Sequence, residues 1–225
     1  MERNGLQFDP DAFEIEGTVL KKYVGKGQYA DIPEGVTEIG EKAFAHLYHV
    51  EEVRIPDTVT KIGTLAFVHC HKLTSITIPR SVTQMGDSIF YRCARLKRAT
   101  IYGEVSKIGI ETFESCHSLT SVTLPESLQE IGSTAFCNCS ELKRITLPSG
   151  LRAIGRKAFL YSGLVSVFIP ASVTEMAQMA FGRCGALAHI SCEAKSRPEG
   201  WAKDWLNDPD CRPINNKVLW GCKRK

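Results

Sequence analysis

A step of 23 residues between successive phenylalanines constrains this chain more than any other feature. Phe44, Phe67, Phe90, Phe113, Phe136 and Phe159 keep that step without a slip, and Phe181 follows after 22. Pro33, Pro56, Pro79, Pro125, Pro148 and Pro170 mark the same register, with Tyr102 where one more proline would fall. The unit reads Ile-Pro-x-x-Val-Thr-x-Ile-Gly-x-x-Ala-Phe-x-x-Cys. Self-similarity at this period marks a solenoid, in which each coil buries its apolar side only against its neighbours.

One unit shows what a coil holds. Leu73-x-x-Ile76-x-Ile78 alternates with Ser75 and Thr77, the period of a strand with one buried face. Pro79 ends the run, having no N–H to give to a ladder. Val82-x-x-Met85 predicts a second, shorter extended piece. Gly86 serves either a positive φ or a close backbone approach. The stretch around Phe90 predicts a short helical turn that closes the coil. Alignment then gives three buried columns besides the phenylalanines. They are Val53, Ile76, Ala99, Val122, Ile145, Val167 and Ile190; Ile55, Ile78, Ile101, Leu124, Leu147, Ile169 and Cys192; and Val36, Val59, Val82, Val105, Leu128, Leu151 and Val173.

The recurring Ile-Gly-x-x-Ala-Phe-x-x-Cys core resembles the BspA-type leucine-rich repeat, common in bacterial and some protist proteins. The resemblance covers residues 30 to 192, with departures at Tyr102-Gly103, at Ala177 in place of glycine, and at Leu47 and Ser162 in place of cysteine. It extends to the tail, where Pro198-Glu-Gly-Trp201 and Val218-Leu-Trp220-Gly221 are similar to segments that follow this repeat in related proteins. The resemblance implies a binding or adhesion module. The fold expected is an α/β-type solenoid of leucine-rich repeat coils, with a parallel β-sheet along one face, short strands and helical turns on the other, and a cap at each end. Residues 1–30 are expected to form a β-hairpin cap, 31–192 the solenoid and 193–225 a tryptophan-rich cap. In that last segment Trp201 and Trp205, four apart, predict a short helix.

Five of the nine cysteines share one coil position: Cys70, Cys93, Cys116, Cys139 and Cys184. They read as a column of small, buried, reduced side chains. Parallel neighbouring Cβ vectors suit a disulfide poorly, and so many thiols favour a reducing compartment. A Cys211–Cys222 bridge stays open. The first ten residues lack the apolar stretch of a signal peptide. A cytoplasmic location is therefore expected, the alternative being a secreted or cell-surface protein whose signal has been removed. A net charge of +3 gives no argument for nucleic acid, and no apolar run is long enough to insert in a membrane.

No set of ionisable residues has the spacing of a hydrolytic triad, a metalloprotease helix or a phosphate-binding loop, so no enzyme and no cofactor is expected. His46 and His69 share a coil position, with His49 and His71 nearby, and read as solvated polar residues rather than a metal site. Solenoids bind partners along an extended face. The outward strand positions are Glu52, Ser75, Arg98, Ser121, Arg144, Ser166 and His189, and beside them Arg54, Thr77, Thr100, Thr123, Thr146, Phe168 and Ser191. Against this Ser/Thr background Arg98, Arg144, Tyr102 and Phe168 stand out, and Arg54 joins them. Arg and aromatic residues dominate binding hot spots. These five are the candidate binding residues, for a protein or peptide partner of a monomeric chain.

Overall fold

A computed structural model describes residues 10–206 and 217–223. From the N-terminus come β1 (Phe13–Glu16), β2 (Val19–Tyr23), β3 (Tyr29–Asp31), β4 (Glu38–Ile39), β5 (Glu52–Arg54), β6 (Lys61–Ile62), β7 (Ser75–Ile78), β8 (Gln84–Met85) and β9 (Arg98–Ile101). There follow β10 (Lys107–Ile108), β11 (Ser121–Thr123), β12 (Glu130–Ile131), β13 (Ala153–Ile154), β14 (Ser166–Ile169), β15 (Glu175–Met176), β16 (His189–Cys192) and β17 (Lys217–Leu219).

The strands alternate between two faces of a parallel β-solenoid. One face carries the longer strands: β3, β5, β7, β9 and β11 form one ladder, and β14, β16 and β17 another. The second face carries the two-residue strands, which follow the five-residue β2 in the order β2-β4-β6-β8 and continue as β10-β12-β13-β15. Pairing keeps the register of the repeat, with Ser75 opposite Arg98 and Ile76 opposite Ala99. The predicted columns point inward, and all seven repeat phenylalanines are fully buried. Their rings stack face to face, with centroids 4.8 to 5.4 Å apart from Phe44 to Phe181.

The helical turns expected around the phenylalanines are not formed, and the only helical piece among the described residues is the 3-10 turn Pro10–Ala12. The α/β reading is therefore corrected to an all-β solenoid. Each Phe corner is instead a run of overlapping turns with two residues in the left-handed region, such as Leu65 and His69 or Glu111 and Ser115. Such a conformation costs a non-glycine residue about 1 kcal/mol. The compensation is visible. At each left-handed residue from Lys42 to Met179 the N–H donates to a carbonyl of the following coil, as Leu65 does to Asp87 at 2.9 Å and His69 to Tyr91 at 2.9 Å. A helix would turn these N–H groups back into their own coil, and the neighbouring coils would lose their third ladder.

Gly86 settles its two readings in favour of close approach. Its φ is not positive, and a methyl group there would sit 2.6 Å from the Thr64 backbone nitrogen. A methyl group at Gly63 or Gly155 would meet the preceding coil equally closely, at 2.7 and 2.6 Å from its backbone nitrogens. The cysteine column has a polar role as well as a packing one. Each thiol donates to the carbonyl of the phenylalanine one coil back, Cys70 to Phe44 at 3.0 Å and Cys116 to Phe90 at 3.2 Å. Ser162, which replaces a cysteine, lies 3.2 Å from the Cys184 sulfur. Cys211 lies outside the described residues.

Both ends continue the stack with unlike residues. In the β1–β2 hairpin, β2 pairs with β4 and Tyr23 stacks on Phe44 with centroids 5.3 Å apart. At the other end the expected Trp201–Trp205 helix is absent, because the segment runs as one more coil. Trp201 bridges Met176 in parallel, the Phe181 N–H donates to Trp205, and β17 pairs with β16. The four-residue step between the tryptophans is the coil's own step from short strand to Phe corner, five residues in Met176 to Phe181, shortened by one.

Candidate functional site

The longer-strand face places outward residues in register over two or more positions per strand. Ser, Thr and charged residues point out from β5 to β11 while Val, Ile and Ala point in. Thr fits such positions because a β-branched residue suits a pleated surface.

The five candidate residues separate on this face. Arg54 on β5 is engaged: its guanidinium pairs with Asp31 on β3 and with Glu34 at 3.4 Å. The hydrogen bond to Asp31 raises its pKa further, with the charges of Asp31 and Glu34 adding to it. Arg98 on β9 and Arg144 are exposed and have no carboxylate within 4.0 Å among the described residues. One rung, Ser121, separates them. Tyr102, at the end of β9, is 52% exposed. Its N–H donates to Ile78 at 2.9 Å, a bond that the proline it replaces could not make, and Arg80 lies over its ring at 6.0 Å from the centroid. Phe168 on β14 is half-buried opposite Ser191. Arg98 and Tyr102 thus stand at opposite ends of β9, Arg144 lies two rungs on from Arg98, Phe168 one rung beyond that, and Arg54 is committed to Asp31 and Glu34.

Two features were not anticipated. The first is Arg80, and with it Lys97 and Lys143, which make Lys-Arg pairs of Lys97-Arg98 and Lys143-Arg144. That signal was legible, since the pair recurs 46 residues apart, two full periods. The second is an interruption of the face. Lys143–Leu147 is not a strand, and β11 pairs only with β9. Between the two coils lies a cleft of about 210 Å³ lined by Val122, Thr123, Leu124, Glu126, Thr146 and Pro148. No residue type announces it, because Ile145 and Leu147 keep the repeat pattern.

The histidines form a compact group at the Phe corner of the first coils. His46 and His69 stack with centroids 4.9 Å apart, and His69 Nδ1 lies 3.2 Å from His71 Nε2. Partial burial, then the charges of His46, His71 and Arg92, holds the His69 pKa below its ordinary value. No group of three or more His, Cys, Asp or Glu residues among the described residues is arranged to hold a metal ion. No helix among them is long and apolar enough to cross a membrane.

Comparison with known proteins agrees with this geometry. The BspA type leucine rich repeat region, in six copies, matches residues 22–126 and 106–198, so the chain belongs to the BspA-type leucine-rich repeat family. A leucine-rich repeat protein from Eubacterium ventriosum is similar at 26% identity and a TM-score of 0.55, over 66% of this chain and 47% of that one. A leucine rich cell surface protein from Faecalibacterium prausnitzii is similar at 24% identity and a TM-score of 0.52, over 83% of this chain and 68% of that one. The leucine rich repeat protein of T. pallidum gives 24% identity and a TM-score of 0.53, over 88% of this chain and 92% of that one. This chain thus spans under half of the Eubacterium protein, and the latter two show the fold alone. Curated proteins gave no match.

Proposed function

We propose that the chain is a non-catalytic interaction module that binds a protein or peptide along its longer-strand face. The observation that carries the reading is the group of exposed Arg98, Tyr102 and Arg144 on a rigid Ser/Thr surface, with both arginines free of carboxylate partners. A preformed surface of this kind loses little conformational entropy on docking. The β1–β2 hairpin within residues 1–30 and the described part of the tryptophan-rich residues 193–225 serve this face as end caps of the 31–192 solenoid. The test is affinity capture and cross-linking with the wild type beside an Arg98→Ala/Tyr102→Ala/Arg144→Ala variant. Loss of specific cross-links in the variant supports the face; identical cross-linked partners would remove it.

For location, the cell surface is the better reading, and the cytoplasmic expectation has lost one of its two arguments. That expectation rested on the first ten residues lacking an apolar stretch and on so many thiols favouring a reducing compartment. The column thiols are fully buried and hydrogen-bonded to carbonyls, and burial pushes Cys93, Cys116, Cys139 and Cys184 above the ordinary thiol pKa, Cys184 to about 11. Such thiols are inert in an oxidising medium. The Faecalibacterium protein is described as a cell surface protein. Antibody labelling of intact cells tests the assignment, and signal only after lysis would reverse it.

A further inference from the structure

We infer that the longer-strand face docks on the same face of a second copy of this chain, the two solenoids antiparallel about a two-fold axis along β7, with Glu52 of each copy against Arg98 of the other. The inference goes beyond the partner proposed above, because it concerns what covers Arg98 when that partner is absent.

The charges change sign across the middle of the ladder. Its strand order is β3-β5-β7-β9-β11, with β7 at the centre. Glu52 on β5 and Arg98 on β9 each stand one rung from Ser75, at the same place along the strand. Both are exposed, and neither has an ion-pair partner within 4.0 Å among the described residues. The preceding positions repeat the change, with Glu51 before Glu52 and Lys97 before Arg98. Glu51 is already engaged by Gln28 at 3.3 Å and Lys72 at 3.5 Å, so Glu52 carries the contact.

Symmetry turns that pattern into self-complementarity. An axis lying in the face along β7 reverses the order of rungs and keeps each residue's place along its strand. Glu52 then meets Arg98 of the second copy, and Arg98 meets its Glu52, as an isologous interface requires. An axis along the solenoid would keep the rungs and exchange the two outward positions of each strand. Arg98 would then face Thr100, and Glu52 would face an Arg54 already held by Asp31 and Glu34. The charges therefore select the antiparallel arrangement.

Shape agrees. The outward residues on the axis are small, Ser75 and Thr77. Two rungs out, Tyr29 on β3, 47% exposed, falls on Ser121 of the second copy, a large side chain on a small one. The shared ladder is five rungs long, about 4.8 Å apart. It covers less than the about 1,200 Å² of a stable interface, so the pair is weak, reversible and sensitive to salt.

The test is sedimentation equilibrium of the whole chain over a range of concentrations. In about 20 mM salt the average mass should climb towards that of two chains, and in about 500 mM salt it should fall back. Glu52→Arg and Arg98→Glu should each weaken association about tenfold. An equimolar mixture of the two variants should recover it, because every contact then joins unlike charges again. Arg152→Glu, exposed on the second face, controls for net charge and should leave the pairing unchanged. The melting temperature of each variant shows that it is folded. A mass independent of concentration, or a dimer that survives both reversals, would overturn the inference and leave the proposed partner to its own test. A mixture no tighter than either variant alone would overturn the contact between Glu52 and Arg98.

Discussion

At the scale of single residues, the repeat phenylalanine and cysteine act together. The ring fills the coil, and the thiol of the next coil satisfies the phenylalanine carbonyl. Phe113→Ala should cost about 3–5 kcal/mol, read as a lower midpoint in urea. Cys116→Ala should cost less and be rescued in part by Cys116→Ser, because Ser162 shows that a hydroxyl is accepted in this column. Thiol titration of the native protein should leave the column unreacted until denaturant is added. The burial of both columns was legible from their period alone. The donation of the thiol to a carbonyl was not, because that carbonyl's direction is set by a backbone whose left-handed residues carry no marker such as glycine. His69 gives a pH prediction. Its pKa is lowered in the folded chain, so the unfolded state binds more protons as pH falls. The stabilisation is whole above the ordinary value of 6.5 and is lost as pH drops through it towards the folded value. The melting temperature should decline from pH 7.5 to about 5.5, and His69→Asn, which tolerates the left-handed backbone, should flatten part of that decline.

At the scale of the element, each coil is held by three ladders: two of strands and one of turns. A face can therefore open while its coil stays in place. Amide exchange should be faster in 143–146 than in β9, which is paired on both sides. Equal protection would show that the two coils close on the longer-strand face in solution. Gly86→Ala brings a methyl against the Thr64 backbone and should cost about 1–3 kcal/mol or more, with the loss concentrated in the adjacent coils. The strands themselves were legible, since Ile76-x-Ile78 alternation has one reading in a repeat of this length. The Phe corner was misread as helical. A short apolar run with a small residue before the ring looks the same in sequence whether its N–H groups turn inward or reach forward to the next coil.

At the scale of the whole molecule, the architecture followed from one number, the period, while the tail did not. Trp201 and Trp205 lack the repeat sequence yet occupy its places, and both are buried, at 3% and 4% exposure. Geometry assigned them where spacing suggested a helix. Their emission should be blue-shifted in the native protein and red-shifted on unfolding. Trp205→Ala should loosen the final coils first, because contacts in a stack are with nearest neighbours.

The column of rings also has an ending built into it. Every phenylalanine from Phe44 to Phe181 lies flat upon the next, but Trp205 meets Phe181 at 86°. A ring set on its edge offers no flat seat to another molecule's column. Among the described residues the flat run of rings therefore closes at Trp205, whose indole covers the last phenylalanine instead of extending its pile.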